Sequence, residues 1–492
     1  MLWLMLACRP PATEESGRPP QTACAAPNLR KAQALNPADF EPQDPDYGML
    51  GVILEDMDGD GDLDLAVANS YRDGVVYVND GAGNFSPFAS IPEGTSMAAA
   101  DMDGDGAVEL ILTRIFDPNL ILYTDGRPPQ PFGGADTEDY SISLADVDGD
   151  GDLDAYTAAY NNDLNLDALE SGAGTGNALW ENQDGVFRPA NPPLQADVAD
   201  DVGFMGQWFD ADSDGDLDLY TVNDFGPQIG RNRLLLNQGD WIFKDAEDCH
   251  CDVAIYGMGA AVGDPNGDGE PDLYLSNLAG PVLLTSTGQG EFVDSTAAMG
   301  ASVPATAERL AGWGTAFVDL NADGADEAVM VFGTLHIGDD PKQITDLDPE
   351  FQDGPEQRDL VLQGGGQGFV EVDAGFNDTR PGRNLLVGDL DGDGDADLVT
   401  GGLWYVQTWE NQADCTPILI DLPPHAIGAK VQVQSDLGTQ TRWLAPAGLR
   451  STSSSQVFAG SLGMALVTVT WPDGSQWQQD DVAPGTRLEP TW

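Results

Sequence analysis

One nine-residue pattern, D-x-[DN]-x-D-G-x-x-[DE], occurs seven times in the 492 residues. Its copies, numbered here loops 1 to 7, begin at Asp56, Asp101, Asp146, Asp210, Asp264, Asp319 and Asp389, at intervals of 45 to 70 residues. Repetition at such a period means that one supersecondary unit is copied and stacked, so the repeat decides the architecture before any single residue is weighed.

The spacing has a chemical reason. Ca²⁺ takes about six to eight oxygens at roughly 2.3–2.6 Å, and acidic side chains at alternate positions of a tight turn converge on one point. Loop 1 offers Asp56, Asp58, Asp60, Asp62 and Asp64, and loop 2 offers Asp101, Asp103, Asp105 and Glu109. Loop 3 has Asp146, Asp148, Asp150, Asp152 and Asp154; loop 4 has Asp210, Asp212, Asp214, Asp216 and Asp218. Loop 5 places Asn266 between Asp264 and Asp268 and closes with Asp272. Loop 6 has Asp319, Asn321, Asp323 and Glu327, and loop 7 has Asp389, Asp391, Asp393, Asp395 and Asp397. Position 7 can offer its backbone carbonyl, and position 9 closes the shell. Position 6 is Gly in every copy, as a sharp left-handed turn demands. These residues are the expected ligands of up to seven Ca²⁺ ions. Loops 2, 5 and 6 depart most from the pattern and are expected to bind most weakly.

Helices are missing on both sides of each loop. Small residues precede it, as in Gly257-Met258-Gly259-Ala260-Ala261-Val262-Gly263, and β-like runs such as Leu65-Ala66-Val67-Ala68 follow it. Each loop therefore joins two strands, and small residues on the first strand suit the crowded axis of a ring. Most units end in a turn and an aromatic, at Phe85, Phe187, Phe243, Phe292 and Phe369, expected to pack between units. Four strands per unit predict an all-β chain: a seven-bladed β-propeller followed by a small β-rich C-terminal domain.

The stretch from Tyr256 to Asp264 with its loop resembles the FG-GAP/VCBS repeats of integrin-type propellers, especially those of the cartilage acidic protein family. Ile427-Gly428-Ala429-Lys430-Val431 and Val467-Thr468-Val469-Thr470-Trp471-Pro472-Asp473-Gly474-Ser475 resemble the ASPIC/UnbV domain that follows such propellers. Ser451 to Ser455 match that family's Ser-rich stretch only loosely. The resemblance divides the chain into a leader and Pro-rich tether (1–45), a propeller (46–414) and an ASPIC/UnbV-like domain (415–492). It implies calcium and an extracellular or cell-surface binding role.

Charge narrows the partners. With 83 acidic against 20 basic residues the net charge is −63, which excludes nucleic acid as a partner because phosphate binding needs Lys/Arg patches. A disordered acidic chain is excluded as well, since 41% of residues are hydrophobic. Met5-Leu6-Ala7-Cys8 resembles a bacterial lipobox, so the chain is expected to be exported, either lipid-anchored through Cys8 or released. Export permits disulfides. Cys24 precedes the first repeat and Cys415 follows the last, so a bridge between them would tie the ends of a closed ring. Cys249 and Cys251 flank His250, as a local disulfide or as part of a metal site.

Catalytic motifs are scarce. Gly94-Thr95-Ser96-Met97-Ala98 matches the surroundings of a subtilisin-type nucleophile, but His250, His336 and His425 all lie later in the chain, where that family needs an earlier one. The stretch fits an inner strand instead. The reading is a non-enzymatic calcium-binding adhesion module for a protein or glycan ligand, with the membrane reached only through Cys8. The alternative is an extracellular carbohydrate-active enzyme using loop-face carboxylates. The long insertions 161–176 and 338–355 are expected to crown the face opposite the calcium loops.

Overall fold

In the computed structural model, the described residues are 24–36, 50–115, 117–134, 138–160, 176–195, 198, 201–227, 229–278, 280–303, 310–334, 357–365, 368–445, 447–448, 451–452 and 454–492. The leader with Cys8 and nearly all of both insertions lie outside them.

Loop 1 joins Leu50–Glu55 to Asp64–Asn69, and every later copy joins two strands in the same way. The inner strands that follow are Ser96–Ala100, Asp139–Ala145, Gly203–Phe209, Ala260–Gly263, Gly312–Val318 and Gly382–Gly388. Each belongs to an antiparallel sheet containing four strands in sequence order from axis to rim, except the last. Inner strands of successive sheets touch one another, and Gly382–Gly388 touches Leu50–Glu55, which closes the ring. The molecule is a β-propeller.

Small residues permit this crowding. A Cβ on Gly314 would stand 2.6 Å from the backbone nitrogen of Leu385 on the next inner strand. Every residue of Ser96–Ala100 and of Gly203–Phe209 is buried. Among these is Ser96, while the Thr95 hydroxyl lies 2.8 Å from that of Thr113 and donates to the Asp139 carbonyl at 2.7 Å. The subtilisin-like stretch is therefore core. The rim aromatics pack as expected: Phe187 meets Phe132 of the preceding sheet at 4.9 Å between centroids.

The last sheet borrows its outer strand. Leu29–Ala34 pairs antiparallel with Val406–Asn411, so the chain's start completes the sheet that its end begins. Residues 1–45, expected to be leader and tether throughout, thus contribute a propeller strand. Leu29 and Leu35 are buried, and unpaired edge groups on Val406–Asn411 gain a partner. Cys24–Cys415 is a disulfide and ties the same two ends.

The C-terminal domain is two small sheets, with Gln456–Ala459, Ile418–Asp421 and Arg487–Leu488 in one and Gly438–Trp443, Lys430–Ser435, Ala465–Thr470 and Gln476–Val482 in the other. Val431, Val433, Val467, Val469 and Trp471 form its core. This domain does not hang beside the ring. The short strands Ala447–Gly448 and Ser451–Thr452 reach its centre, where Ser451–Thr452 pairs in parallel with Val52–Ile53 and contacts other inner strands. Gly428, at φ 90°, lies so close to loop 4 that a Cβ would meet Leu217 at 2.5 Å.

Candidate metal centres

In all seven loops the position-9 acid is the first residue of the second strand and pairs with the last residue of the first, as Asp64 does with Glu55. Strand pairing therefore fixes the back of each loop, and the position-6 glycine, at φ between 86° and 98°, turns its front. Side chains wire the rest. In loop 1, Asp56 accepts the N–H groups of Gly59 at 2.8 Å and Gly61 at 2.9 Å, while Asp64 accepts that of Met57 at 3.1 Å. Loops 2 and 3 repeat all three bonds. The position-5 carboxylate holds the position-7 N–H in every copy.

This wiring brings carboxylate oxygens of positions 1, 3 and 9 within 4.8 Å of one another in five loops: Asp56, Asp58 and Asp64; Asp101, Asp103 and Glu109; Asp146, Asp148 and Asp154; Asp210, Asp212 and Asp218; Asp389, Asp391 and Asp397. The side chains of Asp62, Asp152, Asp216 and Asp395, at position 7, are not in these clusters. Asp62 instead lies against Gly81 on the rim turn, where a Cβ would sit 2.4 Å from its oxygen. The chain reverses at the preceding glycine, which directs this side chain outward.

Every position-9 acid is buried, at 0–2% exposure. Burial first, and neighbouring acids second, push Asp64 and Glu109 up to about 7, and Asp154, Asp218, Asp272 and Asp397 up to about 8. Glu327 is raised well above its ordinary value for the same reasons. Buried oxygens of Asp58, Asp212, Asp272 and Glu327 accept no hydrogen bond. Converging carboxylates with unused lone pairs are what a hard divalent cation requires, and the donor set fits Ca²⁺.

Comparison with known families agrees with this geometry. An FG-GAP-like repeat profile matches residues 56–112 and 210–275, and an ASPIC and UnbV profile matches residues 422–491. The propeller carries FG-GAP-like repeats, and an ASPIC/UnbV domain follows it. A search of curated proteins finds no match. Among solved structures, it is similar to BBS1N in complex with ARL6DN, at 9% identity and TM-score 0.49 over 78% of this chain and 97% of that one. An Agrocybe aegerita lectin described as recognising non-reducing terminal N-acetylglucosamine is similar at 18% identity and TM-score 0.39, over 71% of this chain and 88% of that one. The V. cholerae biofilm matrix protein Bap1 is similar at 14% identity and TM-score 0.32, over 92% of this chain and 76% of that one.

The FG-GAP loops are not all alike. In loops 5 and 6 the position-3 amides of Asn266 and Asn321 donate to the position-5 carboxylates of Asp268 and Asp323 at 2.9 and 3.0 Å. A neutral donor thus takes one contact that a cation would otherwise make. The ASPIC/UnbV domain roofs the later loops. Gly460 N–H donates to Asp319 at 2.8 Å, Arg442 pairs with Asp326 at 2.7 Å, Lys430 donates to the Gly269 carbonyl at 3.0 Å, and Asp389 N–H donates to Gln456 at 2.8 Å. A cavity of about 110 Å³ remains between roof and ring, lined in part by Thr315, Phe317, Arg442, Ser454 and Gln456. Ligand pockets typically need about 300 Å³ or more.

Sequence reasoning missed a set of asparagines on the rim turns. Asn79, Asn182, Asn237 and Asn411 each donate their backbone N–H to the position-9 carboxylate of their own loop at 2.7–2.9 Å. Their side-chain amides donate to the position-2 carbonyl of the preceding FG-GAP loop: Leu390, Met102, Val147 and Leu320 respectively. They staple four of the seven loops, 1, 3, 4 and 7, to the loop before each in the ring. The signal was present, since an Asn recurs just before the rim aromatic, but it read as ordinary turn chemistry. Cys249 and Cys251 form a disulfide and are buried, with His250 between them at φ 57°. The metal-site alternative for this motif is thereby removed.

Proposed function

We propose that this protein is an exported, non-enzymatic recognition module whose FG-GAP loops bind calcium, and whose rigid ring presents a surface to a protein or glycan partner. The observation that carries the reading is the convergence of carboxylates at positions 1, 3 and 9, with position 9 buried and positions 1 and 9 held by backbone N–H groups. Calcium then acts as a fastener for each blade. A ligand bound only by the folded state stabilises it by about 2.7 kcal/mol per site when its free concentration is a hundred times Kd.

The ASPIC/UnbV domain meets loops 4 to 7, so this reading assigns the partner to the face opposite the loops. A lipid at Cys8 would hold this surface at the cell envelope; release without it gives the same module in solution.

Melting the full chain with calcium and with excess EGTA tests the metal. A large drop in Tm that magnesium does not restore is expected, and an unchanged Tm overturns the reading. Glycan arrays and pull-downs with the same chain test recognition. Turnover of a polysaccharide by the purified protein would instead support the carbohydrate-active alternative.

A further inference from the structure

Loop 2 differs from its fellows in having a basic side chain drawn against three of its carboxylates. The rim turn of the same blade carries Arg127, whose guanidinium lies 2.5 Å from Asp103, 3.3 Å from Asp105 and 3.7 Å from Glu109. These are positions 3, 5 and 9, three of the places that a calcium ion would contact. The side chain is braced as well as attracted. Asp125 holds Nε at 2.7 Å, and the Tyr123 ring stacks 4.1 Å from the guanidinium carbon.

Two further features mark the loop. Position 7 is Ala107, so loop 2 has four carboxylates where loop 1 has five. Where Asn79, Asn182, Asn237 and Asn411 staple other blades, this rim turn has Thr124 in the equivalent place, and Arg127 follows three residues later. The oxygen of Glu109 that faces Arg127 is fully buried and accepts no hydrogen bond, so its one described cationic neighbour is this guanidinium. The contact of Arg442 with loop 6 is different in kind. It touches one ligand, Asp319, at 3.5 Å, and its closer partner Asp326 lies at position 8.

We infer that Arg127 is a tethered replacement for calcium at loop 2: the guanidinium occupies the cation's place, and the folded protein binds no Ca²⁺ there. This rests on the calcium reading of the other loops. A cation supplied by the chain is always present at its site, so blade 2 is fastened whether or not calcium is available. Blades 1 and 3 on either side depend on the ion.

Two measurements on the full-length chain test this. Native mass spectrometry in calcium should show Arg127→Gln carrying one more Ca²⁺ than the unsubstituted protein. Equal counts overturn the inference. Hydrogen exchange on the unsubstituted protein needs no variant: on adding EGTA, residues 101–109 should keep their protection while 56–64 and 146–154 lose it. Loss at all three together overturns the inference. No response at loops 1 and 3, with no bound calcium in either protein, would instead overturn the calcium reading beneath it.

Discussion

Loops 1 and 6 share spacing, strand pairing and the backbone bonds to positions 1, 5 and 9 from Gly61 or Gly324, Asp62 or Ala325, and Met57 or Leu320, yet they sit in opposite surroundings. Asp56 and Asp58 are partly open to solvent, whereas Asp319 and Asn321 are each 1% exposed beneath the ASPIC/UnbV domain. A motif read along the chain specifies the cage, but it does not specify whether the cage opens onto water. Access decides exchange. On the calcium reading, an ion in loop 1 would leave through solvent, while one in loop 6 would wait until Gly460 and Arg442 move off Asp319.

The largest effect that would break this comparison is on pH. In metal-free protein the position-9 acids have folded pKa values raised from 3.8 or 4.5 to about 7–8. The folded state therefore holds more protons than the unfolded state between about pH 4 and 8, and its stability must fall as pH rises through that window. With calcium bound the trend should reverse, because ions and protons compete for the same oxygens. Tm in EGTA should be higher at pH 5 than at pH 8, and Tm in calcium lower; parallel trends would remove the cation from the account.

Lifting the roof sharpens the comparison next. A Cβ on Gly460 would stand 2.4 Å from the Ala322 carbonyl. Overpacking of this kind costs about 1–3 kcal/mol, which multiplies the undocked population by about 5–150. In stopped-flow release into a fluorescent chelator, a slow phase from the roofed loops should accelerate by that factor in Gly460→Val, with the fast phase of loops 1 and 3 unchanged. A single phase in the unsubstituted protein would show that the roof does not gate exchange.

Asn237→Ala removes a buried staple between loops 3 and 4 and should lower stability by about 1–3 kcal/mol by leaving the Val147 carbonyl unpaired. Calcium affinity should fall at both loops, read by titration of the variant. An effect confined to loop 4 would mean that the centres are not coupled. Lys430→Ala should change least, by under about 1 kcal/mol, since its ammonium makes one hydrogen bond at the edge of loop 5 and otherwise lies 5.4 Å from the Trp443 ring of its own domain. A large loss of calcium there would mean that the roof holds loop 5 through this one lysine.

Much of the ring was legible because local chemistry is repetitive. The position-6 glycines, the strand after each loop and the small inner residues are each dictated within about ten residues of chain. Arg127 was not legible. Its turn is 18 residues beyond Glu109, and only the folding of four strands into one blade brings the two together. The outer strand Leu29–Ala34 was misread for the same reason: its partner, Val406–Asn411, lies at the other end of the chain.

The amino-acid sequence alone determined the repeat, the cage in each repeat and the all-β class, because a nine-residue turn carries its own geometry. Tertiary structure decided which cages face water, which lie under a roof and which already holds a cation of its own. Those outcomes depend on side chains that meet only after the ring has closed, and no spacing along the chain records such meetings.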